Sequence, residues 1–307
     1  MKRLITTAGC LLCLISGPLS AATYAIPEGD SVVGKLSWVK SRSEDTLLDI
    51  ARRHSLGANH IQMANPHLDL WLPGEGSRVI LTTRLILPAA PRKGIVLNLA
   101  EMRLYYYPFN RPGVVEVYPV GIGRESWPTP ETVTRITQKT KGPRWYPPRS
   151  IRQEAELRGK PLPEFIPPGP ENPLGDYALR LALPRYLLHG TNKPAGVGMR
   201  VSHGCIRLYP EHIERLFNAV RKGTQVRIIN SAYKVGWRGD ELLLEVHSPA
   251  YAGANAKSLD YEALMKTIRA AGIGDNTQLD LNAVARAVRG ANGIPMVIGE
   301  RLDMTSP

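Results

Sequence analysis

Between His189 and Arg207 the chain gathers the residue types of a thiol-dependent acyl transfer. His189-Gly190-Thr191-Asn192 is followed, after a Gly-rich stretch, by Ser202-His203-Gly204-Cys205-Ile206-Arg207-Leu208, with Cys205 sixteen residues beyond His189. A thiol attacks as its thiolate, and a free thiol with pKa about 8.5 is mostly protonated at neutral pH, so a histidine within hydrogen-bond reach is the usual activator. Two histidines qualify. His203 lies two residues from Cys205 and points the same way only if the backbone is extended, whereas His189 ends an apolar strand and must be brought alongside by the fold. Gly204 leaves an unhindered amide beside the nucleophile, which together with the Cys205 amide is suited to hold an oxyanion. Arg207 is suited to pair with a substrate carboxylate. Each residue also has a plain structural reading: His189 capping carbonyls at a strand end, Arg207 in an ordinary ion pair, Cys205 as a small buried hydrophobe. As metal ligands, His189, His203 and Cys205 would have to make a three-ligand catalytic site, since a closed site takes four. The reading carried forward is a bare thiol, with no metal and no organic cofactor.

The setting of that thiol favours chemistry over packing. Lys2 and Arg3, the apolar run Leu4 to Ile15, Gly17-Pro18 and then Ser20-Ala21-Ala22 have the layout of a cleavable export signal over residues 1–22, with the mature chain beginning near Thr23. Lipidation at Cys10 or Cys13 fits poorly: Cys10 comes too early for a full apolar run ahead of it, and Leu14 follows Cys13. Cleavage leaves Cys205 as the sole cysteine, which excludes an internal disulfide in a compartment where disulfides persist. Removing Lys2 and Arg3 lowers the net charge from +12 to +10. That excess suits an anionic partner, and export makes the cell wall a better one than nucleic acid. The expected location is the periplasm.

The elements that must position these residues read as mainly β with α. Of 307 residues, 43% are hydrophobic, and 28 Gly and 26 Pro exceed the roughly 12% average usage, which argues for a turn-rich β architecture over a helical bundle. No apolar stretch reaches 18 residues, so no membrane span is expected. Over 38–88, Ser43-Glu44-Asp45-Thr46 caps a helix through Leu47, Leu48, Ile50 and Ala51 that Ser55-Leu56-Gly57 ends, and a second helix runs from Asn59 to Asn65 before Pro66. Strands follow at Arg78 to Leu81 and Leu85 to Leu87, while a first strand near Leu36 to Lys40 is indistinct. Over 94–230, strands are expected at Ile95 to Leu99, Arg103 to Tyr107, Val114 to Val120, Thr132 to Thr140, Ala178 to Leu183, Tyr186 to His189 and Gln225 to Asn230. A Pro-rich insertion, Gly142 to Gly175 with a short helix at Ile151 to Arg158, is too long for an ordinary loop and reads as a lid. Pro210 opens a helix to Val220. Residues 231–307 form an α/β extension with one strand, Glu241 to His247, helices near 258–270 and 281–289, and the apolar run Ile294 to Ile298.

Two family resemblances follow from these residues. Asp45-Thr46-Leu47, Ile50-Ala51, Ala64-Asn65-Pro66, Leu72-Pro73 and Leu87-Pro88 resemble a lysin-motif (LysM) module, a βααβ unit that binds glycans containing N-acetylglucosamine; Leu48 departs from the aromatic common there, and a helical spacer is the alternative. The two motifs around His189 and Cys205, with Gly94-Ile95-Val96, Arg103-Leu104-Tyr105-Tyr106, Gly121-Ile122-Gly123, Thr129-Pro130 and Asn172-Pro173-Leu174-Gly175, resemble the YkuD-type L,D-transpeptidases, in particular the periplasmic subgroup that attaches Braun-type lipoprotein to peptidoglycan. The resemblance implies a β-sandwich-like catalytic domain, Cys205 as nucleophile and His189 as base. It implies Ser202, His203 and Gly204 shaping the site, and Arg207, with Thr191 and Asn192, binding the stem peptide. Its reaction releases D-alanine from a tetrapeptide stem and passes the acyl group to a lipoprotein lysine or a second diaminopimelate. Glu131 departs from the pattern, where many members have Gly. A non-catalytic wall-anchoring protein and a thiol hydrolase or carboxypeptidase are the alternatives.

Overall fold

The run Arg103-Leu104-Tyr105-Tyr106-Tyr107 is buried at every position, which a strand achieves only when both faces of its sheet are covered. In the computed structural model, which describes residues 21–251 and 260–302, Leu104 and Tyr106 enter one core with Ile95, Leu97, Leu188, Ile206, Ile213 and Leu216. Tyr105 and Tyr107 enter another with Val33, Leu85, Leu87, Val115 and Val117. The sheet between these cores has nine strands in the spatial order Ala22–Ala25, Val114–Pro119, Arg103–Tyr107, Gly94–Asn98, Gln225–Ile229, Thr132–Lys141, Tyr177–Leu181, Leu187–His189 and Ile206–Arg207. Most neighbours are antiparallel. Gln225–Ile229 runs parallel to Gly94–Asn98, and Leu187–His189 runs parallel to Ile206–Arg207. The mainly β fold with helices agrees with the expectation.

Three features were not anticipated. Ala22–Ala25 pairs with Val114 to Val117 as an edge strand, so the sheet recruits chain from before the 38–88 module and its first residue precedes the expected mature start at Thr23. Residues 1–20 of the expected export signal lie outside the described residues. Short strands at Ile122–Gly123 and Arg200–Ser202 pair in parallel, too brief to produce a hydrophobic pattern. The C-terminal extension is a four-stranded sheet, Tyr233–Arg238, Glu241–Val246, Met296–Arg301 and Thr277–Leu279, under helices Tyr261–Ala270 and Leu281–Gly290. Tyr233–Arg238 escaped notice because its buried positions include Lys234 and Gly236.

Lys234 belongs to a charged knot where the parts of the molecule meet. Its Nζ lies 2.7 Å from Glu101 and 3.0 Å from Glu245, while Arg103 lies 3.2 Å from each carboxylate. Burial would raise the Glu245 carboxyl, but Lys234, His247 and Arg103 hold it below its ordinary value. Glu101, Glu245 and His247 converge within 4.8 Å, a donor set of cation type, yet the two cations already balance both carboxylates.

At the N-terminal side, Ser37–Lys40 pairs antiparallel with Arg78–Leu81, and helices Leu47–Arg53 and Ala58–Ala64 lie between them in sequence. Thr46 and Asp49 cap the first helix reciprocally. Among the described residues no helix is long and apolar enough to cross a membrane.

Candidate active site

Strand alternation decides which side chains face the same way. Leu188 and Ile206 pair directly and are fully buried in the main core. Their flanking neighbours Leu187, His189, Cys205 and Arg207 therefore project to the opposite face. His189 pairs with Arg207, so Cys205 stands two residues before the histidine's partner on the adjacent strand. Both His189 and Cys205 line one cavity of about 150 Å³, with Ser202, His203, Arg207, Arg185 and Tyr186.

His189 is buried, and its Nδ1 lies 2.6 Å from the Gly190 carbonyl. A carbonyl only accepts, so the neutral ring carries its proton at Nδ1, and the Leu174 carbonyl also lies in hydrogen-bond reach of the imidazole. Burial, reinforced by the positive charge of Arg207, pushes this imidazole down to about 3, and it is neutral near pH 7. Burial pushes the Cys205 thiol above its ordinary value, although an amide hydrogen bond from Leu187 and the charges of Arg207 and Arg180 pull the other way. The thiol donates to the Arg185 carbonyl at 3.5 Å. The resting site is thus a neutral thiol and a neutral base rather than an ion pair.

Ser202, His203 and Gly204 build the turn that presents the sulfur. The Ser202 hydroxyl accepts from the Gly204 amide at 3.1 Å and donates to the Cys205 carbonyl at 2.5 Å. Gly204 has φ +99°, and a Cβ there would stand 2.8 Å from the Tyr186 ring, so the position requires glycine. This break in extended geometry separates His203 from the thiol's direction: its Nε2 lies 3.0 Å from Arg124 and 3.4 Å from Glu154, and its ring lies against Trp127. The Gly204 amide, expected to help hold an oxyanion, is already committed to Ser202.

Thr129 was not singled out as a site residue, yet its hydroxyl donates to the Gly204 carbonyl at 2.8 Å and accepts from the Gly123 amide at 3.1 Å. Its only signal in the chain was the dipeptide Thr129-Pro130. Thr191 is buried, and its hydroxyl accepts from the Lys193 amide at 2.9 Å. Neither Thr191 nor Asn192 is among the residues lining the cavity. Arg207 lines it half-buried, and among the described residues it has no carboxylate partner and its Nε has no hydrogen bond. The Pro-rich insertion supplies Trp145, Pro148, Ser150, Ile151, Pro173 and Leu174 to the cavity wall. Its helix Arg149–Leu157 buries no residue, and an ion pair between Glu154 and Arg124 ties it to the rim.

A family model described as the YkuD L,D-transpeptidase catalytic domain matches residues 92–228, which include this whole constellation. The chain is 37% identical to "Probable L,D-transpeptidase ErfK/SrfK" of Escherichia coli strain K12, over 97% of each chain. The chain belongs to the L,D-transpeptidase family. "Probable L,D-transpeptidase YcfS" of the same organism is 42% identical over 76% of this chain and 74% of that one. The crystal structure of L,D-transpeptidase 3 from Mycobacterium tuberculosis aligns with a TM-score of 0.33 at 18% identity, over 68% of this chain and 93% of that one. Within this L,D-transpeptidase, Glu131 adopts no positive φ, and its carboxylate accepts from the Asn230 amide at 3.1 Å. The departure from Gly there is absorbed by a side-chain bond to the segment just after Gln225–Ile229.

Proposed function

We propose that Cys205 is the nucleophile and His189 the general base of a ping-pong acyl transfer on peptidoglycan tetrapeptide stems. The observation that carries this reading is a thiol and an imidazole on one sheet face, the imidazole's Nδ1 proton held by a carbonyl so that Nε2 is left to accept. The Sγ–H proton passes to Nε2 as sulfur bonds to the carbonyl carbon on the L-centre of meso-diaminopimelate at stem position three. The Cys205 amide holds the oxyanion, since that of Gly204 is occupied. The C–N bond breaks, His189 returns the proton to the departing amine, D-alanine leaves, and a thioester remains. An amine then attacks, His189 takes its proton, and the C–S bond breaks to restore the thiol. The acceptor is the C-terminal lysine of an outer-membrane lipoprotein or the side-chain amine of a second diaminopimelate.

Arg207, a half-buried cation without a carboxylate partner among the described residues, supports recognition of a stem carboxylate. The 38–88 module, read as LysM-like, would hold the glycan, and the export signal would place the enzyme in the periplasm. Excluding water matters because hydrolysis discards the acyl group, and the insertion lining the cavity supports its reading as a lid.

Disaccharide-tetrapeptide incubated with the protein and each acceptor in turn should give D-alanine release and an acceptor adduct. Cys205→Ala and His189→Ala should each lose turnover by about 10³-fold or more, with Cys205→Ala still binding wall material. Turnover at the wild-type rate in either variant would refute the assignment, and D-alanine release with no adduct to either amine would identify a carboxypeptidase instead.

A further inference from the structure

We propose that the N-terminal module is a clamp that positions the nucleophile segment, an inference that rests on the acyl-transfer reading only for its turnover readout. The module touches the catalytic domain on both sides of Cys205. Ahead of the thiol, the Ala58 and Asn59 amides donate to the Val197 and Gly198 carbonyls at 3.0 and 3.2 Å. Backbone meets backbone there without side chains between: a Cβ on Gly198, which has φ +84°, would stand 2.4 Å from the Ala58 nitrogen, and one on Gly57 would stand 2.8 Å from the Gly198 Cα. Behind the thiol, Arg52 grips Glu211 with two hydrogen bonds of 2.9 and 2.8 Å, and the Tyr209 hydroxyl donates to the Leu56 carbonyl at 3.0 Å. His60 anchors the module from below: its Nδ1 accepts from the Gly57 amide at 3.0 Å, and its Nε2 donates to the Glu101 carbonyl at 2.5 Å.

The segment from Val197 to Glu211 is thereby held at its two ends by residues 52–59, with Cys205 between them. Val197 and Tyr209 are buried, so the attachments are not surface tethers. A reacting sulfur displaced by about 1 Å can cost a hundredfold in rate. Gly57, Gly198, Arg52 and Glu211 are positioning residues: none lines the cavity.

The test uses the full chain with Arg52→Glu, Glu211→Arg, their double variant and Gly198→Ala. It measures kcat and KM on tetrapeptide, the pH midpoint of Cys205 alkylation by iodoacetamide, and the folded fraction by thermal melting. Each charge reversal should lower kcat about three- to tenfold at unchanged KM and shift the alkylation midpoint, and the double variant should recover both within about twofold. Gly198→Ala should lose more. Unchanged kcat and midpoint in both single variants would overturn the clamp, as would losses that track only the folded fraction. Should Gly198→Ala fail to fold, the half-buried Arg52–Glu211 pair decides the matter alone. If wild type shows no tetrapeptide turnover, the acyl-transfer reading fails while the alkylation midpoint still tests the clamp.

Discussion

The side chain of His189 is held neutral by what surrounds it. Burial and the neighbouring Arg207 keep it neutral down to about pH 3, and the Gly190 carbonyl accepts at Nδ1, so the ring is neutral throughout the physiological range. Cys205 meets the same burial with the opposite consequence, because there the charged form is the reactive one. Alkylation of Cys205 by iodoacetamide should therefore accelerate with pH to a midpoint above that of an exposed cysteine peptide, with no inflection from His189 between pH 5 and 8. Arg207 lowers the thiol, so Arg207→Gln should move the midpoint higher and slow alkylation below it by roughly threefold per half pH unit. A midpoint that falls in the variant would contradict this account of the electrostatics.

At the scale of elements, the parallel pair Leu187–His189 and Ile206–Arg207 does the assembling, and the insertion encloses what they assemble. The helix Arg149–Leu157 buries nothing, so its position depends on polar contacts, chiefly Glu154 with Arg124 and His203. His203, one of two histidines the chain offered as activator, is thus engaged in closing the rim. Glu154→Ala should leave the melting temperature close to that of wild type, because an ion pair with both side chains partly in solvent adds little stability, yet raise the ratio of hydrolysis to transfer in assays with an amine acceptor. An unchanged ratio would remove the lid role from this helix.

Across the whole molecule, the structure stores several histidines in neutral form. Burial pushes His189 to about 3 and His212 to about 4, and holds His60 well below its ordinary value. The unfolded chain binds these protons near pH 6.5, and in the folded chain His189 and His212 do not until pH falls to about 3 and about 4, with His60 shifted in the same direction. In that window the unfolded state carries more protons, so stability is intact above about pH 6.5 and declines as pH falls through it. Thermal melts should show Tm dropping steadily from pH 7 to pH 4.5, and His212→Gln, if it folds, should flatten the slope. A Tm independent of pH over that range would contradict the burial of these rings.

The family and several local elements were legible before any fold was known, because they depend on residue identity at short range. Ser202 through Leu208 and His189 through Asn192 carry the family resemblance, the Arg103–Tyr107 strand shows in its apolar run Leu104 to Tyr107, and Thr46 with Asp49 marks a helix start. What the chain could not declare by itself is which of its elements meet. The pairing of His189 with Arg207 and the edge strand Ala22–Ala25 join distant positions through backbone hydrogen bonds that carry no side-chain signature, while the Thr129 brace under Gly204 and the Arg52–Glu211 grip use side chains whose partners lie far along the chain. Lys234 makes the same point from the opposite direction: a charge in a strand reads as solvent-facing until two other parts of the chain supply Glu101 with Arg103, and Glu245, around it.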